Sequence, residues 1–306
     1  MGQPDLAVVI VNWNTADLLR GCLASVYESK WPGFEVCVVD NASDDGSAEM
    51  VAATFPQARI IRNSRNAGFS AASNAGMRCF GFGSRGAIPK YVLLCNPDTV
   101  VPPAAFSGIT GFLDTRPDAG AVGPRLVLPD GTLDLACRRS FPTPASSFYR
   151  FSGLSKIFPK SRRFGRYNLT FHDPDALVEV DCVNGAFMMV RGCVIEKVGL
   201  LDEDFFFGGE DLDWTFRIKA AGWKVFYYPA VSVTHIKRAA FRKNPAAAYE
   251  FERAMWLFYR KHYRGGTPRW LDYIIRAGLS LRGGIRLVRE MRGKQETAGP
   301  SDRGGA

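Results

Sequence analysis

The chain has 306 residues, of which 46% are hydrophobic and 23% charged. That is a globular composition, which excludes a wholly disordered chain, and no apolar run is long enough to predict a membrane-spanning helix. The net charge of +9 is uneven: residues 1–236 carry 23 Lys+Arg against 24 Asp+Glu, and residues 237–306 carry 16 against 6. The excess cations therefore sit in the last quarter, which predicts a near-neutral domain followed by a basic extension that meets something anionic. Residues 6–12 are a continuous apolar run and predict a strand buried on both faces. A helix follows, capped by Asn14 or Thr15 and running to about Ser29. Residues 34–39 predict a second buried strand ending on Asp40, and a short helix after Asp44 or Asp45 stops at Pro56. A strand over 58–61, a small-residue helix over 70–80, a strand over 91–95 and a helix from Pro102 or Pro103 to Arg116 complete a βα alternation. Such alternation predicts an α/β domain with a mainly parallel sheet.

The second half changes character. Residues 126–133 predict a hairpin about Asp130-Gly131. Residues 140–177 have no clean period and predict a long irregular loop. Strands are expected over 178–183, 186–190 and 224–228, with a second short run ending at His235, and a helix over 210–221. From Pro245 the pattern is helical and basic. Between Trp270 and Met291 apolar residues recur near helical spacing among Arg276, Arg282, Arg286, Arg289 and Arg292, as in a helix lying on an anionic membrane surface. Seven cysteines with no Cys-x-x-Cys spacing predict buried free thiols. The start, Met1-Gly2-Gln3-Pro4-Asp5, lacks the basic and apolar segments of a signal peptide, so a cytoplasmic location is expected.

In an open α/β sheet, ligands bind beyond the carboxyl ends of the strands. Polar residues cluster there: Asn12 and Asn14 after the first strand, Asp40 after the second, Asn63 to Gly68 after the third, and Asn96-Pro97-Asp98 after the fourth. A carboxylate such as Asp40 can accept the ring N–H of a pyrimidine. A hard cation bridging a diphosphate needs few protein oxygens, and Asp98, with Asn96 as a weaker donor, can supply them. The segment Phe205-Phe-Phe-Gly-Gly-Glu-Asp-Leu-Asp213 places Glu210 and Asp211 at a predicted helix start beside aromatic side chains. Capping explains acids there, but an extra carboxylate in such a place suits a general base. His235, at a strand end, is a candidate for metal or phosphate.

These stretches resemble a known family. Val9-Ile-Val-Asn-Trp-Asn14, Val38-Val-Asp-Asn-Ala-Ser43, Asn66-Ala-Gly-Phe-Ser70, Asn74-Ala-Gly76, Leu94-Cys-Asn-Pro-Asp98, Asn184-Gly-Ala186 and Phe207-Gly-Gly-Glu-Asp-Leu-Asp213 occur in the order of the family 2 inverting glycosyltransferases. The rhamnosyltransferase-like branch is the most similar. The resemblance spans about residues 6 to 236 and implies a GT-A fold over 1–236, with a nucleotide-binding half (1–125) and an acceptor-binding half (126–236); the charge and helical pattern make 237–306 a helical basic extension whose end is expected to be disordered. It implies a nucleotide-diphosphate sugar donor and Mg or Mn. By residue, it implies Asp40 for the nucleobase, with Asn12 and Asn14 lining its pocket, and Asn66, Gly68, Asn74 and Asn96 around the nucleotide. It further implies Asp98 and His235 for the metal, Gly185 and Ala186 near the transferred sugar, and Asp211 as the base with Glu210 beside it. Three positions depart from the family pattern. Asn96 replaces the first acid of Asp-x-Asp, Ser73 stands where many members carry a diphosphate-binding arginine, and Ile236-Lys-Arg follows His235 in place of glycines. The implied activity is transfer of L-rhamnose from dTDP-L-rhamnose to a polyprenyl-diphosphate-linked sugar or cell-surface glycan, in cell-wall or polysaccharide biosynthesis. Anionic membrane on the inner face and a second copy of the chain are expected partners. Nucleic acid is not, because residues 1–236 are neutral and hold no reader motif. A sugar-nucleotide nucleotidyltransferase is the alternative, though residues 6–30 lack its Gly-rich phosphate loop; a non-catalytic nucleotide-sugar binder is the other.

Overall fold

The computed structural model describes residues 4–84, 86–237 and 247–293. The basic stretch 238–246 and the terminus 294–306, both part of the expected extension, lie outside the described residues.

The first half follows its apolar periodicity. Strand β1 (Leu6–Asn12) is buried along its whole length, as its unbroken aliphatic run requires. It pairs in parallel with β2 (Phe34–Asp40) on one side and β4 (Tyr91–Cys95) on the other, and β2 pairs in parallel with β3 (Arg59–Arg62). Helices α1 (Ala16–Tyr27), α2 (Ser47–Thr54) and α3 (Phe69–Cys79) are the crossovers, each within two or three residues of its expected bounds. A short β5 (Thr99–Val100) and α4 (Ala105–Thr115) follow.

Strand β6 (Ala119–Val127) was not expected, and it sits deep in the sheet. The order is β3-β2-β1-β4-β10-β6-β11-β5, where β10 is Phe187–Arg191 and β11 is Lys224–His235. Strand β8 (Val178–Val180) pairs with β11. Because β10 runs antiparallel to both β4 and β6, and β11 runs parallel to β6, six of the nine strands point the same way. The sheet is thus mainly parallel, flanked by helices, as the α/β pattern predicts.

Four readings of the second half need correction. The run 224–235 is one strand interrupted by register shifts, not two separate pieces. The run 178–183 is two strands: β8 joins the main sheet, while β9 (Cys182–Val183) pairs with β7 (Arg138–Arg139) in a separate two-stranded sheet. The break falls at Asp181, which accepts the Phe141 amide and Lys219. The Asp130-Gly131 turn is present but closes only a single bridge, Val127 to Leu133. The segment 140–177 is less irregular than expected, since it holds α5 (Pro144–Phe151) and a one-turn α6 (Leu154–Ile157). Helix α5 begins with a capping box between Thr143 and Ser146, which its low periodicity concealed.

After α7 (Gly192–Val198) and α8 (Glu210–Ala220), the chain returns in α9 (Ala247–His262) and α10 (Arg269–Met291). Ala254, Leu257 and Phe258 of α9 are buried against Cys182, Phe205 and Leu212. His262 Nε2 lies 2.7 Å from Asp213 Oδ1, and Lys261 is paired with Asp202. Helix α10 packs on α9 through Leu279 and Leu287. All seven cysteines are free thiols, but Cys193 is exposed and Cys79 half-buried, so burial does not hold for those two.

Candidate active site

Strands β1, β2 and β4 end at one edge of the sheet, and the loops after them form one wall of a cavity of about 350 Å³. The opposite wall comes from the loop 205–209 and the start of α8, and α9 adds Phe251 and Met255. The 205–209 loop is tied to α3. The Phe69 amide donates to the Phe206 carbonyl at 2.7 Å, and Ser70 Oγ donates to that of Phe205 at 2.7 Å. Gly68 makes this approach possible: a Cβ there would lie 2.6 Å from the Phe206 ring, and its φ is +86°. Only glycine tolerates both.

Nine of the expected site residues line the cavity: Asn66, Gly68, Asn96, Asp98, Gly185, Ala186, Glu210, Asp211 and His235. Four do not. Asn12 is fully buried; it donates to Asp40 Oδ1 at 3.2 Å and Ser43 Oγ at 3.1 Å, and accepts from Thr15 Oγ1 at 2.6 Å. Asp40 is buried as well and accepts the Ser43 amide at 3.1 Å. Asn14 takes a left-handed backbone, φ 54°, and its Oδ1 accepts the Asp44 amide. These three shape the loop behind the cavity wall. Asn74 is a tether: it holds the Leu201 amide and carbonyl and donates to Glu203 Oε1 at 2.9 Å. The periodicity of α3 could not show that its polar face meets the 200–205 loop.

The structure adds residues that motif reading did not single out. Buried Asn41 donates to Asn66 Oδ1 at 2.8 Å and accepts the Ala67 amide, which fixes the loop 63–68 against the cavity. Arg139, Tyr167, Asn184 and Lys237 also line it. Arg139 comes from the segment that looked irregular, so no pattern drew attention to it.

At one side of the cavity Asp98 Oδ1 lies 3.3 Å from His235 Nε2, and His235 Nδ1 lies 3.2 Å from Asp134 Oδ2. Burial opposes a charge on His235, but its hydrogen bonds to Asp134 and Asp98 outweigh it and raise the imidazole to about 9. Lys237 Nζ donates to Asp134 Oδ1 at 2.6 Å. At the other side, Asp211 Oδ2 is paired with the buried guanidinium of Arg139 and accepts the Gly185 amide at 3.2 Å. Asp211 Oδ1 accepts the Leu212 amide at 2.8 Å among the described residues, which leaves lone pairs for a further donor. Burial disfavours charge on Arg139, yet the adjacent Asp211 carboxylate more than offsets it. Glu210 differs. Burial, and then the charge of Asp211, push its carboxyl up to about 8, and its Oε2 has no hydrogen-bond partner among the described residues. At neutral pH the two neighbouring acids therefore play unlike parts, Glu210 holding a proton and Asp211 facing a cation.

The donor set fits a hard divalent cation. Asp98 would offer carboxylate oxygen, and His235 its Nε2 once a cation displaces the proton that the imidazole shares with Asp98, while Asp134 holds the ring from behind through Nδ1. Two protein ligands leave room for phosphate and water oxygens.

The family model described as "Glycosyltransferase like family 2" matches residues 4–258. This chain belongs to that family. Among curated proteins it is 25% identical over 292 residues to the N-acetylglucosaminyl-diphospho-decaprenol L-rhamnosyltransferase of Mycobacterium tuberculosis, covering 94% of each chain. It is 23% identical over 231 residues to the low-salt glycan biosynthesis hexosyltransferase Agl10 of Haloferax volcanii, covering 76% of this chain and 67% of the other. In fold it is similar to a mannosyltransferase from Pyrobaculum calidifontis solved with GDP-Man and Mn2+, with a TM-score of 0.57, 19% identity, and coverage of 92% of this chain and 70% of that one. Staphylococcus aureus TarS in complex with UDP-GlcNAc gives a TM-score of 0.55 at 14% identity, covering 91% and 72%. The protein is a family 2 glycosyltransferase with a GT-A fold.

The carboxyl of Glu210 yields a sign-definite prediction. Its value is raised above that of the unfolded chain, near 4.5, to about 8. The folded state thus holds a proton that the unfolded chain releases. This contribution to stability is fully present below about pH 4.5 and is lost as pH rises through about 8, at a slope approaching 1.4 kcal/mol per pH unit, roughly. Denaturant unfolding of wild type and Glu210→Gln across this range should show a steeper fall in the wild type, since the contribution of His235 is common to both. Parallel profiles would contradict the buried, protonated state.

Proposed function

We propose that this family 2 enzyme transfers L-rhamnose from dTDP-L-rhamnose to a polyprenyl-diphosphate-linked sugar, with inversion, at an anionic membrane surface. The observation that carries the chemistry is that Asp98–His235 and Glu210–Asp211 share one cavity. The match to a rhamnosyltransferase over nearly all of both chains supports the sugar and the lipid-linked acceptor.

In this reading Asp211 accepts the proton of the acceptor hydroxyl as that oxygen attacks the anomeric carbon from the face opposite the leaving group. Arg139 and the Gly185 amide fix the carboxylate's orientation. Glu210, protonated, donates a hydrogen bond to the sugar. Asp98 and, once deprotonated, His235 would hold Mg or Mn, which would supply positive charge against the departing diphosphate. Lys237 and Arg139 supply cations to the same cavity, where Ser73 supplies none.

Membrane association is supported by α10. Trp270, Ile274 and Leu281 share one face and are 66%, 56% and 88% exposed, opposite the buried Leu279. The helix's cations partly serve structure: Arg282 pairs with Glu252 at 2.7 Å and Arg276 with Asp272 at 3.9 Å. The apolar face, rather than the arginines alone, is the proposed contact with the headgroup layer, and the net positive charge of residues 237–306 selects anionic lipid.

Three outcomes test the proposal. Asp211→Asn should bind dTDP as wild type does but turn over about 10²–10⁴-fold more slowly, the usual worth of a placed general base; near-normal turnover would remove Asp211 from that role. Asp98→Ala should lose the metal-dependent gain in affinity of dTDP over thymidine, measured by titration with and without Mg or Mn, and an undiminished gain would show that Asp98 is not a ligand. The protein should co-sediment with anionic but not zwitterionic vesicles. The triple variant Trp270→Ser/Ile274→Ser/Leu281→Ser should stay in the supernatant, and sedimentation like wild type would exclude α10 as the contact.

A further inference from the structure

Beside the catalytic cavity lies a second cleft of about 330 Å³, lined by Thr143, Ser146, Tyr149, Arg162, Arg163 and Arg166. It is strongly cationic. The chain has no acidic residue between Asp134 and Asp173, while residues 148–167 hold six Lys+Arg. Among the described residues, none of the three cleft arginines is paired with a carboxylate; Arg163 Nε instead donates to Tyr149 Oη at 2.9 Å. Three guanidinium groups left without counter-ions around one concave space cost electrostatic repulsion, which an anion relieves. Planar forked donors suit phosphate oxygens, and Thr143, Ser146 and Tyr149 add hydroxyls.

Two further observations say which anion. The cleft and the catalytic cavity share a wall, because Arg166 faces the first and the next residue, Tyr167, faces the second. Ser140 anchors that wall: its Oγ donates to the Arg166 carbonyl at 3.0 Å and its amide to the Tyr167 carbonyl at 2.8 Å. Ser140 follows Arg139, the partner of Asp211. A ligand with a sugar at Asp211 and a phosphate one step away would span the two spaces. The same lobe also exposes Phe148, Phe151, Ile157 and Phe158, and Arg282 of α10 stacks on Phe151 with 4.0 Å to the ring centroid. An apolar chain leaving the cleft would therefore meet exposed apolar side chains next to the helix argued above to meet lipid.

We propose that the cleft between α5 and residues 161–166 binds the diphosphate of the lipid-linked acceptor, so that sugar, diphosphate and hydrocarbon chain are read by three adjoining surfaces. This rests on the acceptor class proposed above and assigns it a site.

The test titrates wild type and Arg162→Gln/Arg166→Gln with farnesyl diphosphate, with farnesol, and with vesicles containing anionic phospholipid but no acceptor. Saturating dTDP and Mg are present throughout, so that the donor cavity is filled. Wild type should bind farnesyl diphosphate and not farnesol. The double variant should bind it about tenfold to hundredfold more weakly, as expected on loss of charge-assisted hydrogen bonds, while its titration with dTDP stays as in wild type and shows an intact fold. Equal binding of farnesyl diphosphate by both proteins would overturn the assignment. So would a variant that loses only vesicle binding, because the arginines would then serve bulk headgroups. Transfer of rhamnose to a lipid-linked sugar is measured separately on wild type. Failure there with intact diphosphate binding would refute the activity and leave the phosphate site standing.

Discussion

The rest of the site depends on the buried ion pair between Arg139 and Asp211. Both side chains are about nine-tenths buried, where an uncompensated charge of either sign is costly. Each therefore requires the other, and each belongs to a different unit. Arg139 sits on β7 of the small two-stranded sheet, and Asp211 on the first turn of α8. Arg139 also donates to the Val183 carbonyl at 3.2 Å, and Gly185 donates its amide to Asp211. One guanidinium thus fixes the β7–β9 sheet, the Asn184–Ala186 loop and the proposed base in a single arrangement. It also explains the unequal pair of acids. With Asp211 committed to Arg139, burial and the neighbouring negative charge outweigh the backbone amides and Arg139 at Glu210, which holds its proton.

The cavity exists because two kinds of edge meet. The parallel strands β1, β2 and β4 all end on one side and present short polar loops there, as parallel sheets do. The facing wall cannot come from the same sheet edge, and is built by the 205–209 loop, α8 and α9. Close backbone approaches make this possible. A Cβ at Gly68 would strike Phe206, and one at Gly123 would lie 2.6 Å from Val183 Cβ. The first glycine seats the aromatic loop on α3, and the second lets β9 cross over the main sheet.

Much of this was legible in the residues. The βα alternation of the first 116 residues follows from unbroken aliphatic strands and capped helices, so its elements fall within a few residues of expectation. The carboxyl-end rule drew attention to Asn66, Asn96, Asp98 and His235, and the family resemblance to Gly185, Ala186, Glu210 and Asp211, all of which line one cavity. The remainder was hidden for physical reasons. Strand β6 contains Gly120, Gly123 and Pro124, all poor strand formers, and it is held by its place between β10 and β11. Arg139 and Tyr167 lie in a segment without periodicity, because α5 is short and the rest is fixed by side-chain-to-backbone bonds such as Ser140 to Arg166. Asn12, Asn14 and Asn74 are of the right type in the right stretch, yet their hydrogen bonds turn inward, which spacing cannot reveal. Helix α10 read as a cationic lipid-facing surface, whereas ion pairs with α9 occupy Arg282 and the outward face is largely apolar.

The central claim is a single displacement at one carbon, with Asp211 taking the proton and no covalent sugar–enzyme intermediate. The anomeric configuration of the product tests it most directly. With dTDP-L-rhamnose and a polyprenyl-diphosphate-linked acceptor, the new glycosidic bond, read by the one-bond carbon–hydrogen coupling at the anomeric centre, should have the configuration opposite to the donor's. A product that retains the donor's configuration would require a second displacement and would contradict the account.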